Sequence, residues 1–216
     1  TAQPLTANGT NLTWYTVATN GTGSTTAPTP VTATIGTINH YVSQTVNSCE
    51  SSRATIAVIV NPAKQTITLA QGWNLISINV SPTHNTVEQV FANVNVDIVK
   101  NNDGFYKPSQ NAVFNSLKTI ELGKAYLVYA NTASTLEIEG SRNTGIQTPL
   151  AQGWNMIGVP RTSNVAISTT ISGTPAQVIK NFDGFYQVGG NTNSITNFIP
   201  GQGYYIYATA AGIISW

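Results

Sequence analysis

Residues 69–77 read LAQGWNLIS, and residues 150–158 read LAQGWNMIG. This near-identity is the first part of a longer duplication, because two more segments recur in the same order. They are VKNNDGFY (99–106) with IKNFDGFY (179–186), and LKTIELGKAYLVYA (117–130) with ITNFIPGQGYYIYA (195–208). A repeat with a fixed order indicates one supersecondary unit used twice.

The spacing between the repeated segments is also kept. Trp73 and Asn101 are 28 positions apart, and Trp154 and Asn181 are 27 positions apart. We therefore expect the two copies to complete one another's core. Any site that the unit builds should occur in two versions.

The predicted fold is mostly β and has two parts. Residues 1–64 are expected to form a truncated immunoglobulin-like β-sandwich. Residues 65–216 are expected to form a pseudo-twofold, β-rich domain of two repeats with one short helix each. Repeat one comprises residues 66–140, and repeat two comprises residues 147–216.

Each repeat has the same predicted elements. The GWN motif lies in a strand over 66–80 in repeat one and over 148–159 in repeat two. A short helix follows in repeat one, with Thr86 or Asn85 as its N-cap, and a weaker helix lies near 165–171 in repeat two. A strand into the DGFY element and a strand ending YLVYA or YYIYA complete the unit.

The first part of the chain has a different pattern. Residues 12–15, 40–46 and 53–60 read as short strands, and residues 18–37 are rich in Gly, Thr, Ser and Pro and read as loops. Short strands that alternate with turn signals around a central Trp are typical of a small β-sandwich.

A family resemblance supports this interpretation. The pattern NLTWYT…GSTTAPTP…GTINHYVSQTVNSCESSRATIAVIV, within residues 1–62, resembles the bacterial immunoglobulin-like modules of large secreted proteins in Bacteroidetes. In that family a cysteine commonly precedes the segment corresponding to Thr1. The resemblance therefore implies a sandwich that lacks its first strand, in a segment cut from a longer polypeptide. Cys49 is then either a buried free thiol or half of a disulfide with an upstream partner.

Composition excludes several classes of function. Charged residues make up 8 % of the 216 residues, against about 25 % in an average soluble domain. The net charge is +1 and no basic cluster is present, so a nucleic-acid partner is not expected. No run of 18 apolar residues occurs, so a membrane partner is not expected either.

The ionisable residues do not indicate an enzyme. Glycoside hydrolysis requires two carboxylates on either side of one bond, and the only acids that recur between the repeats are Asp103 and Asp183. Each precedes a Gly, as in a hairpin turn, and a calcium site there is the weaker alternative because one carboxylate binds Ca²⁺ poorly. His40 and His84 have no evident partner, so no metal, cofactor or catalytic triad is predicted.

The aromatic residues of the repeats suggest a function instead. Tyr and Trp rings offer apolar faces on which sugar C–H groups stack, and uncharged amides bond to sugar hydroxyls. The predicted carbohydrate-binding residues are Trp73, Asn102, Tyr106, Tyr129, Trp154, Tyr186, Tyr205 and Tyr207. An uncharged surface of this kind favours a neutral polysaccharide over an anionic one.

Strand alternation predicts which of these side chains face water. The Ile and Val residues that follow the GWN motif form the better core face, which places Trp73 on the opposite face. A Trp in a duplicated GWN motif is, however, more often a packing residue than a platform for a ligand. Phe105 and Phe185 are expected in the core, and Tyr106 and Tyr186 are expected to be exposed at the hairpin end.

A second resemblance extends the functional hypothesis. Repeats with a GWN motif and a GxxYxxY motif (123–129 and 201–207) resemble modules at the ends of secreted bacterial and archaeal multidomain proteins, often beside polysaccharide-degrading enzymes. The resemblance implies an extracellular accessory module and does not fix a ligand. Together with the aromatic and amide-rich surface, it leads us to expect a secreted or cell-surface, monomeric, non-catalytic module. This module would target a covalently linked catalytic domain to a cellulose- or xylan-like polysaccharide.

Two alternatives remain at this stage. The chain could be a structural or adhesive extracellular segment whose aromatic residues lie in the core and which has no small ligand. A more remote alternative is a protein-binding region in which the apolar strand at 213–216 pairs with another chain.

Overall fold

The computed structural model describes residues 2–216, which divide into two compact units. One unit ends at Pro62, and the other comprises Ala63–Trp216. The predicted fold class is confirmed, because 44 % of the residues lie in strands and 5 % in helices. Among the described residues, no helix is both long enough and apolar enough to cross a membrane.

The strands of the first unit form one antiparallel sheet. They are β1 (Leu12–Tyr15), β2 (Gly36–Val46), β3 (Cys49–Glu50) and β4 (Ala54–Val60). The long strand β2 lies in the centre and pairs with each of the other three. Trp14 and Tyr15 are buried, as expected for the central Trp of a small β-sandwich.

Cys49 lies at the start of β3, in a short hairpin with the end of β2. Its thiol is free and exposed, so the expectation of a buried thiol is wrong. The reason is local, since the preceding residues Asn47 and Ser48 have positive φ angles and form a tight turn that carries Cys49 outward.

Repeat one has seven strands, a single-turn α-helix and a 3-10 turn at Ala112–Phe114. The strands are β5 (Ala63–Leu69), β6 (Gly72–Ser77), β7 (Ser81–Pro82), β8 (Val96–Lys100), β9 (Phe105–Tyr106), β10 (Ala125–Ala130) and β11 (Ser134–Ser141). The helix α1 (Val87–Val90) begins at the predicted N-cap Thr86, whose hydroxyl accepts a hydrogen bond from the Gln89 amide. A four-stranded sheet has the order β6-β10-β8-β9, and a second sheet has the order β5-β11-β7.

Repeat two repeats this plan with shorter outer strands. Its strands are β12 (Gln147–Leu150), β13 (Gly153–Ile157), β14 (Val165–Ala166), β15 (Ala176–Lys180), β16 (Phe185–Gln187), β17 (Asn197–Phe198), β18 (Tyr204–Ala208) and β19 (Gly212–Ser215). The four-stranded sheet β13-β18-β15-β16 matches that of repeat one, and β12 pairs with β19. The helix α2 (Ile167–Thr170) lies where the weaker helix was predicted and has no side-chain cap.

The single GWN strand predicted in each repeat is two strands. Strand β5 ends at Leu69 and β6 begins at Gly72, and the same break separates β12 from β13. Gly72 and Gly153 have φ angles of +93° and +95°, in the left-handed region that favours glycine. The Gly of the motif therefore turns the chain from one sheet to the next.

Each repeat buries its own hydrophobic core. The core of repeat one includes Tyr126, Ile78 and Leu136, and the separate core of repeat two includes Tyr204 and Phe198. The expectation that the copies complete one another's core is wrong. Each four-stranded sheet is covered by other strands and the helix of its own repeat, so its inner face is already filled.

The repeats are joined by hydrogen bonds instead. The amide of Gly203 donates to the carbonyl of Leu75 (3.0 Å), and the Asn79 carboxamide donates to the carbonyl of Arg161 (3.0 Å). Two further bonds form a symmetrical pair. The amide of Ser77 donates to the carbonyl of Gly201 (2.9 Å), and the amide of Gly158 donates to the carbonyl of Gly123 (2.9 Å). Ser77 and Gly158 are equivalent positions, and so are Gly123 and Gly201. We call this pair of bonds the reciprocal clasp, and its symmetry is that of a pseudo-twofold axis.

The clasp requires a close backbone approach at Gly158. A Cβ added there would lie against the carbonyl oxygen of Lys124 and 2.7 Å from its carbonyl carbon. Because backbone atoms cannot give way as a side chain does, we expect Gly158→Ala to lower the free energy of unfolding by about 1–3 kcal/mol. Urea denaturation followed by Trp fluorescence measures this change.

The matched control is Ser77→Ala at the equivalent position. Ser77 already carries a Cβ, and its buried hydroxyl has no hydrogen-bond partner, so its removal should change stability by less than about 0.5 kcal/mol. Equal stability of Gly158→Ala and the parent chain would contradict the close approach.

Candidate functional site

The outward side of each four-stranded sheet carries a pair of exposed aromatic residues. Trp73 on β6 lies opposite Tyr129 on β10, and Trp154 on β13 lies opposite Tyr207 on β18. The exposed fractions of the two Trp residues are 44 % and 50 %. Trp73 and Trp154 thus lie on the outward side that strand alternation predicts, although Leu75 and Ser77, which alternate with Trp73 to the same side, are buried. We call these surfaces the aromatic faces of repeats one and two.

The rings of each pair meet edge to face. The centroids of Trp73 and Tyr129 are 5.3 Å apart at an interplanar angle of 81°, and those of Trp154 and Tyr207 are 5.5 Å apart at 61°. This geometry is favourable between two rings, but it does not form one coplanar platform.

A lysine lies over each Trp. The Lys100 ammonium is 4.8 Å from the centroid of Trp73, and the Lys180 ammonium is 4.3 Å from that of Trp154. Both contacts lie within the range of cation–π attraction. The two lysines belong to the duplicated segment before the DGFY element, so each aromatic face has the same Trp–Tyr–Lys arrangement.

The aromatic face of repeat two carries additional rings. Tyr205, which replaces Leu127, lies opposite Met156 on one side and Lys180 on the other. Burial raises the pKa of the Tyr205 phenol, which is half-buried. Phe185 is exposed and also lies opposite Lys180.

The predicted orientation of the DGFY residues is wrong. Tyr106 lies opposite the fully buried Val99, and both pack toward the core of repeat one. Tyr186 occupies the same place in repeat two, whereas Phe105 and Phe185 lie opposite the lysines on the outward side. The position of Tyr106 and Tyr186 at the end of the motif predicted exposure, but the register of the hairpin decides the side, and this register cannot be read from the motif alone. Tyr106 and Tyr186 are therefore not on the aromatic faces.

The Asn of the GWN motif has a structural role. The Asn74 carboxamide accepts from the Ala70 amide (2.9 Å) and donates to the carbonyls of Ala70 (2.8 Å) and Gly72 (3.0 Å). Asn155 makes the same three bonds in repeat two. These amides hold the turn before the Trp and are not free to bind a ligand.

The first Tyr of each GxxYxxY motif is also structural. Tyr126 and Tyr204 are fully buried, and their hydroxyl oxygens accept hydrogen bonds from the amides of Glu121 and Ile199 (both 2.9 Å). Burial raises the pKa of both phenols, that of Tyr204 to about 12. Only the second Tyr of the motif, Tyr129 or Tyr207, reaches the surface.

Two equivalent clefts lie between the repeats. In each cleft the Asp–Gly turn of one repeat faces the GWN strand of the other. The first cleft has a volume of about 290 Å³ and places Asp103, Lys124 and Asn102 opposite Asn155 and its neighbours. The Asp–Gly turns are confirmed as hairpin turns, closed by bonds from the Asn101 and Asn181 amides to Gly104 and Gly184.

An ion pair occupies the first cleft. The Lys124 ammonium lies 2.6 Å from the Asp103 carboxylate. This hydrogen bond lowers the pKa of Asp103 and raises that of Lys124, in both cases against the opposing effect of burial. Among the described residues that line this cleft, none is aromatic.

The second cleft differs in chemistry. It has a volume of about 350 Å³ and is lined by Trp73, Phe182, Asp183 and Gln202, with Thr66 and Thr68 nearby on β5. Gln202 replaces Lys124 and donates to the Asp183 carboxylate at 2.9 Å. Phe182 replaces Asn102 and is 59 % exposed.

Sequence reasoning missed several residues of these surfaces. Phe182 and Phe185 were not among the predicted site residues, and neither were Lys100 and Lys180. The recurrence of Lys before each DGFY element could have indicated a shared role. Within residues 2–216, no group of three or more His, Cys, Asp or Glu side chains lies close enough to hold a metal ion.

Comparison with known proteins informs the first unit. Residues 1–62 match a protein family described as "Ig-like domain CHU_C associated". No curated protein and no solved structure is significantly similar to the chain. The N-terminal unit is thus an immunoglobulin-like module, which supports a role as a spacer or extracellular module.

The role of Asn155 can be tested directly. Asn155→Ala removes the three hydrogen bonds that hold the turn before Trp154 and a longer one to the Ile206 carbonyl (3.4 Å). It leaves the amide and carbonyl of Ala151 without their partner. We expect the free energy of unfolding to fall by about 1–3 kcal/mol, as measured by urea denaturation. The control Gln152→Ala lies in the same turn, where the side chain is exposed and makes no hydrogen bond among residues 2–216, and should change stability by less than about 0.5 kcal/mol. An Asn155→Ala chain as stable as this control would refute the structural role.

Proposed function

We propose that residues 63–216 form a non-catalytic carbohydrate-binding module, with the immunoglobulin-like unit as its spacer. The module would hold a covalently linked catalytic domain of a secreted enzyme on a neutral polysaccharide, and it would act as a monomer outside the cell or at its surface. The observation that carries this proposal is the exposed Trp–Tyr pair, which occurs at the same place on both aromatic faces.

The chemistry of the aromatic faces supports a sugar ligand. A pyranose ring presents apolar C–H groups that pack against an indole or phenol ring, and its hydroxyls need hydrogen-bond partners at the rim. Trp73 and Trp154 expose about half of their surface to water, although a large apolar side chain normally gains from burial. The equivalent Trp is exposed in both repeats, which favours a role in binding a ligand that would cover the exposed indole ring.

The distribution of carboxylates supports a non-catalytic role. Each cleft is lined by one acidic side chain, Asp103 in the first and Asp183 in the second. Hydrolysis of a glycosidic bond commonly uses a pair of carboxylates about 5–10 Å apart. In the first cleft the carboxylate is also held in an ion pair with Lys124.

A second candidate function is a structural or adhesive extracellular segment without a small ligand. The edge-to-face geometry favours it, since the rings of each pair are not coplanar. The lysines over the Trp rings favour it as well, because they cover part of the face that a sugar would use. The same residues are thus compatible with two functions, and a binding measurement distinguishes these functions.

The test is a depletion assay with the full 216-residue chain on insoluble cellulose, xylan and chitin. We expect binding to at least one of these polymers. The double variant Trp73→Ala/Trp154→Ala should bind at least about tenfold more weakly, because loss of a stacking ring removes about 1–1.5 kcal/mol per contact.

The matched control is Phe114→Ala. Phe114 is exposed, like the two Trp residues, but it lies in the 3-10 turn, outside the strands that carry the Trp–Tyr pairs. Its removal should leave binding unchanged. Failure of the parent chain to bind any of the three polymers would favour the structural segment. Equal losses in the double variant and the control would show that the aromatic faces are not the site.

A further inference from the structure

The two clefts between the repeats have the same backbone frame and different side chains. Their equivalent positions are Asn102 and Phe182, Asp103 and Asp183, and Lys124 and Gln202. The first cleft combines an ion pair with amides. The second cleft combines a carboxylate with rings, and no Lys or Arg side chain lines it among the described residues.

The second cleft is also continuous with an aromatic face. Trp73 lines this cleft and at the same time contacts Tyr129 on the sheet of repeat one. Its counterpart Trp154 contacts Tyr207 but does not line the first cleft. The second cleft is therefore lined by one ring from the aromatic face of repeat one, Trp73, and by one ring from repeat two, Phe182.

Polar groups accompany this path. Thr66 and Thr68 are exposed on the outer side of β5 and line the second cleft. The Asp183 carboxylate accepts bonds from Gln202 (2.9 Å) and Asn181 (3.3 Å) and forms no ion pair among the described residues. A carboxylate has about four lone-pair sites, so it retains acceptor capacity for hydroxyl groups. Hydroxyl donors of a sugar therefore fit the part of the cleft at Asp183, and the Lys100 ammonium lies 4.8 Å from the centroid of Trp73, which also lines the cleft.

We propose that the second cleft is the saccharide-binding cleft of the module and that the first cleft does not bind sugar. This inference rests on the carbohydrate-binding function proposed above. The ligand is a neutral polysaccharide whose rings stack on Trp73 and Phe182 and whose hydroxyls bond to Asp183 and the threonines. Duplication has therefore produced two clefts, of which one has diverged into the binding site.

The internal duplication supplies the sharpest test. Phe182→Asn installs in the second cleft the residue that repeat one has at the same place in the same turn. Gln202→Lys likewise installs the lysine that pairs with Asp103 in the first cleft. Because the sibling turn has the same hydrogen bonds with Asn102 in place of Phe182, Phe182→Asn is expected to fold normally. Gln202→Lys also removes the bonds that the Gln202 carboxamide oxygen accepts from Asn181 and Tyr204 (both 3.1 Å). Circular dichroism and a urea transition check that both variants are folded.

The measurement is depletion of each variant by the polymer that the parent chain binds. Phe182→Asn and Gln202→Lys should each bind about tenfold more weakly, the first through loss of a ring and the second through an ion pair that removes Asp183 from the ligand. The matched controls Asn102→Ala and Lys124→Gln, in the first cleft, should bind like the parent chain.

The possible outcomes separate this inference from the proposed function. Unchanged binding by Phe182→Asn, with weaker binding by Trp73→Ala/Trp154→Ala, would overturn the inference and leave the module a carbohydrate binder. Weaker binding by the first-cleft variants to the same extent would also overturn it. A parent chain that binds no polymer removes both proposals together.

Discussion

The arrangement of residues 63–216 depends on hydrogen bonds that the repeats exchange, among which the reciprocal clasp is the symmetrical pair. Ser77 donates to Gly201 in one direction, and Gly158 donates to Gly123 in the other. Each repeat already has its own core, so apolar burial alone does not explain why the two bodies are joined in this orientation. Backbone groups at these strand ends would otherwise be left without partners, and that cost makes the pairing specific.

The clasp also explains the presence of two clefts. It brings the loop before β10 against the end of the GWN strand β13, and the loop before β18 against the end of the GWN strand β6. An Asp–Gly turn lines the cleft beside each of these contacts. Because both clefts share one backbone frame, their side chains can change without loss of the fold. Asn102 and Phe182 illustrate this freedom, since they occupy the same turn position with opposite chemistry.

In the repeated motifs, some residues stabilise the fold and others are exposed on the surface. In GWN, the Gly turns the chain, the Asn ties the turn to Ala70 or Ala151, and the Trp is left on the outward side. In GxxYxxY, the first Tyr is buried and the second is exposed. Selection for the fold alone therefore accounts for the Gly, the Asn and the first Tyr. It does not account for the exposed Trp and the second Tyr, and these residues carry the functional proposal.

Much of the fold could be predicted from the sequence, because the duplication identifies the repeat unit. The alternation of side chains along its strands indicates which face is buried. Both short helices and the outward side of Trp73 and Trp154 were accessible in this way. The sides of Phe105 and Tyr106 were not accessible, since they depend on the pairing of Tyr106 with Val99. The clefts were not accessible either. They arise from contacts between residues far apart in sequence, such as Ser77 and Gly201, and local sequence patterns do not predict such contacts.

The stability of the reciprocal clasp can be measured by native-state hydrogen exchange of single amides. If the repeats fold as one body, the Ser77 and Gly158 amides should exchange with the same free energy of opening, equal to the free energy of global unfolding of residues 63–216. Buried amides within each core should share that value. Exchange of the Ser77 and Gly158 amides at the rate of exposed amides, while the two cores stay protected, would contradict the account and show two independent bodies.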